Sequence, residues 1–410
     1  MERLKIENFA GIKSMDLEIR PINVFIGPQG TGKSVVAKLL YFFKSFYGEM
    51  YDSIFLEESR DEFNKKWRDL FLRIFPRESW TDTFHIFYEN ENITFSVQKS
   101  AEGEAEFHYS DNLRDIYTKC QDVTTEGRKK KGSMPLSNYN RMNNVLRDQL
   151  SCSAAYHQVF IPAGRIFFAF YQDSPFSLMR EKATLDYFIT SFGAFYEEAK
   201  KRLTGTESEI DAKFLKMEYE ILGGKYLREN YKDYLIHPDG RKVNVANASS
   251  GQQETLPLTM VLKTFLSRES ATTLYIEEPE AHLFPTAQKR IVQMLAQVFN
   301  YQKPNFQIVI TTHSPYILTS FNNLLEAGRL AAEKPEKAKE INKIVSKEEW
   351  IHPDDFSAYA LNRGKKKNMK NIMNTKSGLI SASLIDNVSE EIAIEFDKLL
   401  DIEFGDEENE

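Results

Sequence analysis

The sequence predicts an α/β fold in which a mixed sheet surrounds a glycine-rich loop, with an antiparallel β subdomain and a helical lobe beside it. A short β-branched run, Ile22–Ile26, leads directly into the glycine-rich segment Gly27–Ser34, and a helical pattern follows. Three alternating runs then predict an antiparallel meander. Nearer the C-terminus, apolar strands alternate with helices, which is typical of parallel pairing. The 410 residues suffice for two lobes or two to three compact units.

The first 75 residues contain three strand patterns and two helical patterns. The predicted strands are Leu4–Asn8, Met15–Ile19 and Ile22–Ile26, and the predicted helices are Lys33–Tyr47 and about Asp52–Phe75. Apolar residues recur at helical spacing in the first helix, so one of its faces should pack on the sheet.

The next stretch combines a meander with a polar insertion. The meander strands are Phe84–Tyr88, Ile93–Gln98 and Ala105–Tyr109, separated by turn residues. The segment 110–150 is polar and contains the basic run Gly127–Gly132, which predicts a mobile insertion.

The remaining patterns predict a second lobe followed by a return to strand–helix alternation. In order they are a strand at Val159–Ile161, helices within Phe167–Ile221, a hairpin at Tyr226–Val245, a loop and helix after Asn247, a strand at Thr273–Ile276, a helix at Pro285–Phe299 and a strand at Gln307–Thr311. The tail after about Glu333 is lysine-rich and ends acidic. The chain carries no repeat and no heptad run long enough for a coiled coil.

These patterns divide the chain into four expected parts. Residues 1–165 form the N-terminal part of the first lobe, and residues 166–250 form the helical second lobe. Residues 251–330 hold the helix and strands that complete the sheet, and residues 331–410 form a C-terminal extension.

Composition narrows the possible classes of protein. A net charge of -7 means that any nucleic-acid contact must come from a local patch. No stretch of 18 apolar residues and no cleavable leader pattern occur, so the expected location is cytoplasmic, without a membrane partner. The two cysteines, Cys120 and Cys152, do not form a zinc or disulfide pattern.

The most specific motif is the glycine-rich segment Gly27–Ser34, here called the phosphate loop. It matches GxxxxGK[ST] between a strand and a helix, where backbone amides and Lys33 can bind phosphates and Ser34 can ligate Mg²⁺. The alternative is a glycine turn with a chance lysine. The candidate ATP-binding residues are Gly27, Pro28, Gln29, Gly30, Thr31, Gly32, Lys33, Ser34 and Val35.

The strand at Thr273–Ile276 ends in two carboxylates. Glu277 is placed to hold Mg²⁺, and Glu278 is placed to polarise the water that attacks a terminal phosphate. The alternative is a solvated acidic turn.

Two further segments could contact phosphate. The serine-glycine loop, Asn247–Glu254, offers Ser249 and the amide of Gly251 at a helix start, although such a loop in isolation is an ordinary N-cap. The strand at Gln307–Thr311 delivers His313, which can hydrogen-bond a terminal phosphate or simply end the strand.

In this order, the four segments resemble the ABC-type ATPase heads of the OLD-like and SMC-like group. The opening LKIENFAGIKSMDLEI and the runs EEPEAHLFP and TTHSPYIL carry the resemblance. It implies Mg²⁺-dependent ATP hydrolysis, with Lys33 at the phosphates, Ser34 and Glu277 at the metal, Glu278 as catalytic base and His313 as switch. It also implies that Ser249, Ser250, Gly251 and Gln252 contact ATP held by a second subunit.

The sequence departs from this group at several points. Gln29 stands where asparagine is frequent, and the first acid is Glu277 rather than aspartate. A glutamine expected near Val159–Arg165 is missing, so Arg165 is assigned a contact with nucleotide or with the partner head. The long arms of SMC proteins and the acid pattern of a Toprim nuclease are both missing, since Asp354 and Asp355 lie in a polar turn.

The resemblance extends to the stand-alone ATPase subunit of PARIS-type anti-phage defence systems. It implies a homodimer or larger even-numbered oligomer that regulates a separate effector protein, such as a Toprim nuclease. A RecF-like DNA-repair ATPase stays open as an alternative, with weak nucleic-acid binding through Arg128–Lys131 or Lys365–Lys370, runs that could equally be solvated loops. A structural oligomer in which ATP serves mainly as glue is the third hypothesis.

Overall fold

A six-stranded sheet forms the centre of the protein in the computed structural model. The structure describes residues 2–91, 93–113, 115–120, 122, 156–170, 186–203, 211–267, 271–363 and 368–381. Its strands are Ile22–Ile26 (β3), His157–Ile161 (β7), Thr272–Glu277 (β11), Phe306–Thr312 (β12), Phe356–Leu361 (β13) and Met369–Asn371 (β14). They lie in the order β14-β13-β3-β12-β11-β7, and all neighbours are parallel except β14 and β13. Parallel pairing brings the carboxyl ends of β3, β11 and β12 to one edge, where the candidate site lies.

A five-stranded antiparallel sheet packs beside the central one, in the order β2-β1-β4-β5-β6. Its strands are Glu2–Phe9 (β1), Ile12–Ile19 (β2), Trp80–Asn90 (β4), Ile93–Lys99 (β5) and Ala105–Tyr109 (β6). The predicted meander is confirmed, and its first strand pairs with β1. The N-terminal hairpin therefore belongs to this sheet, a pairing that local patterns do not specify.

Two helices follow the phosphate loop, α1 at Lys33–Phe55 and α2 at Arg60–Ile74. The predicted helix start at Asp52 is wrong, because α1 continues through that position. Ser59 begins α2, with a capping box in which it exchanges hydrogen bonds with Glu62. The helices pack on the antiparallel sheet through aromatic rings, such as Phe46 against Phe95 with centroids 4.8 Å apart, and on each other through the Phe42–Trp67 stack at 4.1 Å.

The helical lobe combines three helices with a small sheet. Its helices are Tyr187–Arg202 (α3), Ala212–Leu222 (α4) and Ser250–Leu266 (α5), and a one-turn helix covers Phe167–Phe170. The strands Lys225–Glu229 (β8), Lys232–Ile236 (β9) and Lys242–Asn244 (β10) pair in sequence. The segment predicted as a single hairpin therefore contains three strands and two turns. The first turn is at Asn230 and Tyr231, which both have positive φ angles.

The last helices cover the central sheet: Pro285–Gln302 (α6), Pro315–Glu333 (α7) and Ala338–Ile344 (α8). The sequence predicted no strand after them, yet β13 pairs in parallel with β3 and is buried at five of its six positions. Its run FSAYAL is short and lacks β-branched residues, so only tertiary pairing identifies it as a strand.

Asp354 and Asp355 lie in a 3₁₀ turn immediately before β13, as the predicted polar turn required. Most of the predicted insertion at 110–150, including Arg128–Lys131, lies outside the described residues, as do Cys152 and the first three lysines of Lys365–Lys370. Among the described helices, none has the length and apolar character needed to cross a membrane. The architecture confirms the predicted α/β class, with a mixed sheet, an antiparallel subdomain and a helical lobe.

Candidate functional site

The phosphate loop connects β3 to α1 and is shaped by glycine. Gly32 begins α1 in the left-handed region, with φ of 95°, and a Cβ there would lie 2.7 Å from Cγ1 of Ile12. Any other residue would therefore be strained and would collide with the β1–β2 turn. Thr31 is buried and donates its hydroxyl to the carbonyl of Pro28, whereas Pro28, Gln29, Gly30 and Ser34 are exposed. The open side of the loop is thus available to an anion.

Lys33 is folded over this loop. Its ammonium donates to the carbonyls of Gly27 at 2.7 Å and Pro28 at 2.9 Å. Only 5% of the residue is exposed, and burial lowers the pKa of Lys33 while the carboxylates of Glu278 and Glu280 oppose that shift. The charge is therefore held at a fixed position, as phosphate binding requires.

His313 connects Lys33 to Glu278. Its Nδ1 lies 3.5 Å from the Lys33 ammonium, and its Nε2 lies 3.3 Å from a carboxylate oxygen of Glu278. A neutral imidazole that carries its proton on Nε2 satisfies both contacts, because Nδ1 then accepts and Nε2 donates. The structure thus brings together three predicted catalytic residues that come from three different segments.

The backbone at the end of β11 turns sharply to place Glu278. Its φ is 45°, an uncommon left-handed value for a glutamate, and its amide donates to the carbonyl of Thr311 at 2.8 Å. This bond fixes the end of β11 against β12, the strand that carries His313. Strain of this kind persists only where surrounding structure enforces it, and it is frequent at functional sites.

Glu277 is nine-tenths buried and only half satisfied. One carboxylate oxygen accepts from the amide of Ala163 at 3.3 Å, while Oε1 is buried and accepts no hydrogen bond within the described ranges. A buried anionic oxygen without a partner is costly unless a cation or donor satisfies it. Mg²⁺ commonly uses one or two protein oxygens plus substrate phosphates and water, so Glu277 and the exposed Ser34 fit that ion.

Glu280 is a member of this site that the sequence did not single out. Its Oε1 accepts from the backbone amide of His313 at 2.7 Å, and its Oε2 is buried without a partner in the part of the chain that the structure describes. The EEPE run contained the residue, but local spacing gave it no role.

Arg165 is buried and offers no surface to a nucleotide or a partner head, so the assignment of either contact is wrong. The residue is 1% exposed, and its guanidinium donates to the carbonyls of Pro162, Glu277, Glu278 and Glu254 at 2.8–3.0 Å. Burial lowers the pKa of Arg165, opposed first by the Glu254 carboxylate. Its planar fork instead fixes the backbone that presents the two candidate acids, Glu277 and Glu278.

The serine-glycine loop begins α5 and packs against the segment that follows the acidic strand. Ser249 caps α5 in a capping box with Gln252, and both Ser249 and Ser250 are exposed. A Cβ on Gly251 would lie 2.7 Å from the carbonyl of His282. No hydrogen bond or ion pair among the described residues connects this loop to the phosphate loop of the same chain.

The chain is similar to several known proteins. A segment of 105 residues is 30% identical to "Retron Vc95 probable ATPase" from Vibrio cholerae serotype O1 biovar El Tor; it spans 23% of this chain and only 20% of that relative. Among solved structures, an SMC head domain from Thermotoga maritima has a TM-score of 0.36 at 13% identity, covering 78% of this chain and 90% of that one.

Another structure, an SMC head bound to the C-terminal winged-helix domain of ScpA, has a TM-score of 0.45 at 13% identity and covers 92% of this chain and 98% of that one. The family model described as "AAA domain, putative AbiEii toxin, Type IV TA system" matches residues 22–319, a span that contains the phosphate loop, the serine-glycine loop, both acids and His313. The chain therefore belongs to this family of AAA-type ATPases.

Proposed function

We propose that this protein hydrolyses ATP to ADP and phosphate, with Mg²⁺, at a site formed by the phosphate loop and the ends of β11 and β12. The observation that carries the proposal is the continuous set of contacts from Lys33 through His313 to Glu278. A cation for phosphate oxygens, a hydrogen-bonding imidazole and a carboxylate base are thereby adjacent.

Each residue has a distinct role in this reaction. The loop amides and Lys33 bind the phosphates and orient the terminal one. Glu278 accepts the proton of the attacking water, and His313 keeps that carboxylate in place by donating to it through Nε2. Glu277 and Ser34 would hold Mg²⁺, which neutralises charge on the phosphates when bound.

We further propose that two copies meet head to tail, so that the serine-glycine loop of one closes over the ATP on the phosphate loop of the other. Support comes from the start of α5, where Ser249 and Ser250 are exposed at the helix N-terminus. A helix N-terminus of this kind attracts anions. Because no hydrogen bond or ion pair among the described residues joins this loop to its own phosphate loop, a second copy is the natural source of a phosphate for it.

We propose that ATP-dependent pairing and hydrolysis together control a separate effector protein in defence against phage. The name of the Vibrio cholerae relative places that protein in a retron, and the family description refers to a toxin–antitoxin system. A PARIS-type arrangement with a Toprim nuclease is the specific form that the sequence resemblance suggests.

Mixing defective variants tests the shared site. Lys33→Ala removes the phosphate contact, and Ser249→Arg blocks the opposing surface, so each variant alone should be inactive. In an equimolar mixture, half of the dimers are mixed and each has one intact site, so about a quarter of the wild-type rate is expected.

The matched control mixes Lys33→Ala with Glu278→Gln. Both defects lie on the same side of the site, so neither site of a mixed dimer is intact and no activity should return. If the first mixture stays inactive while the wild type hydrolyses ATP, the head-to-tail arrangement is wrong.

A further inference from the structure

The C-terminal extension reaches the phosphate loop. Strand β13 lies beside β3, so its end at Leu361 arrives at the same sheet edge as Gly27. The approach is close enough that a Cβ on Gly27 would collide with the carbonyl oxygen of Leu361. The loop is therefore packed against residues more than 300 positions away in sequence.

Arg363, two residues beyond β13, contacts the outer surface of the loop. Its Nη2 donates to the carbonyl of Gln29 at 3.0 Å and would lie 3.3 Å from a Cβ placed on Gly30. Within the described ranges Arg363 forms no ion pair, so no neighbouring carboxylate neutralises its charge.

A second bond network holds this part of the chain in place. The side chain of the buried Asn368 accepts from the amide of Lys13 at 2.7 Å and donates to the carbonyl of Asn362 at 3.2 Å. The residue before Arg363 is thus tied to Lys13 in β2, the strand whose first residue, Ile12, also contacts the phosphate loop. Arg363 consequently extends from an anchored position.

We propose that Arg363 is a positioning residue for nucleotide binding, an inference that rests on the proposed function. By holding the Gln29 carbonyl outward, it keeps the following amides directed into the loop, where a nucleoside triphosphate places its phosphates. Its charge, unpaired among the described residues, also adds positive potential at the exposed rim of the loop. The C-terminal extension is then part of the nucleotide site.

The test measures ATP affinity and turnover of the full chain for Arg363→Ala, Arg363→Lys and Arg241→Ala. Arg241 is also an exposed arginine, but it pairs with Asp239 in the small sheet of the helical lobe, so it serves as the matched control. Arg363→Ala should raise the Kd for ATP about five- to tenfold, with kcat at saturating ATP within about twofold of the wild-type value.

Arg363→Lys retains the charge but not the planar fork, so it should recover part of the affinity. A Kd for Arg363→Ala within about twofold of wild type, or an equal loss in Arg241→Ala, would overturn the inference. Lys33→Ala separates the two proposals. If the wild type binds no ATP, or if Lys33→Ala binds ATP as tightly as the wild type, the proposed function fails; if only Arg363→Ala has no effect, the inference alone fails.

Discussion

At the residue scale, three side chains and one backbone amide form the centre of the site proposed to hydrolyse ATP. Lys33, His313 and Glu278 form a line of polar contacts, and Glu280 fixes the backbone at His313. The unpartnered oxygens of Glu277 and Glu280 lie in the same region. The site therefore concentrates negative charge beside one buried lysine, an arrangement that suits Mg²⁺ and phosphate together.

Glu278→Gln should lower kcat at least about 100-fold, because the amide cannot accept the proton of the attacking water. ATP binding should persist, since Glu278 does not contact the loop. Phosphate release under saturating ATP measures the effect. Glu106→Gln, on the exposed edge strand β6, is the control, and a rate for Glu278→Gln equal to that control would show that Glu278 is not the base.

Glu280→Ala should lower kcat about tenfold with a smaller change in KM, because the amide of His313 loses its acceptor and the imidazole moves. Glu280→Gln keeps an oxygen acceptor at that position and should retain more activity than Glu280→Ala. Steady-state kinetics of both variants, which give kcat and KM, test whether Glu280 positions His313. Equal, wild-type-like kcat values in both would mean that Glu280 does not position His313.

At the scale of elements, one buried pair ties α5 to the end of β11. Glu254 on α5 accepts from the amides of Arg165 and Ile166, and the Arg165 guanidinium donates to the carbonyls of Glu277 and Glu278. Helix α5 begins at the serine-glycine loop. The pair therefore links the surface proposed to meet a second copy with the backbone of the catalytic acids.

Glu254→Ala should destabilise the protein by about 3–5 kcal/mol, because it leaves the Arg165 guanidinium buried without its carboxylate. Chemical denaturation measures the free energy of unfolding. Glu198→Ala removes an exposed pair with Arg202 on α3 and should cost under about 1 kcal/mol. A loss of unfolding free energy for Glu254→Ala as small as that for Glu198→Ala would show that the buried pair of Arg165 and Glu254 does not stabilise the fold.

At the scale of the whole molecule, the five-stranded and six-stranded sheets are joined by α1 and by a buried polar network. Lys44 on α1 donates to Glu2 on β1 and to Gln307 on β12, and Tyr88 on β4 donates to Glu2. Burial lowers the pKa of Lys44, an effect that the Glu2 carboxylate opposes. The network spans both sheets and therefore fixes their relative placement.

Lys44→Met should destabilise the fold by about 3–5 kcal/mol, since it leaves the Glu2 carboxylate buried without its cation. Adding Glu2→Gln removes that orphaned charge, so the double variant should be more stable than the sum of the single losses implies. Equilibrium unfolding of the wild type, the two single variants and the double variant gives the coupling free energy between Lys44 and Glu2. Strict additivity would contradict a direct Lys44–Glu2 interaction.

The sequence alone determined the α/β class, most of the strands and helices, and the phosphate loop with its flanking strand and helix. These features depend on local periodicity and on short motifs such as GPQGTGKS, each of which is contained within a few consecutive residues. It also identified Glu277, Glu278 and His313 as candidates, since each follows an apolar strand.

Only the tertiary structure decided which distant groups meet. Arg165 was misassigned because its partners are backbone carbonyls and Glu254, 89 positions away. Strand β13 and Arg363 were missed because pairing with β3, not local propensity, makes that segment a strand beside the loop. Local sequence encodes the backbone period and the chemistry of each side chain, whereas long-range pairing and burial determine which side chains become neighbours.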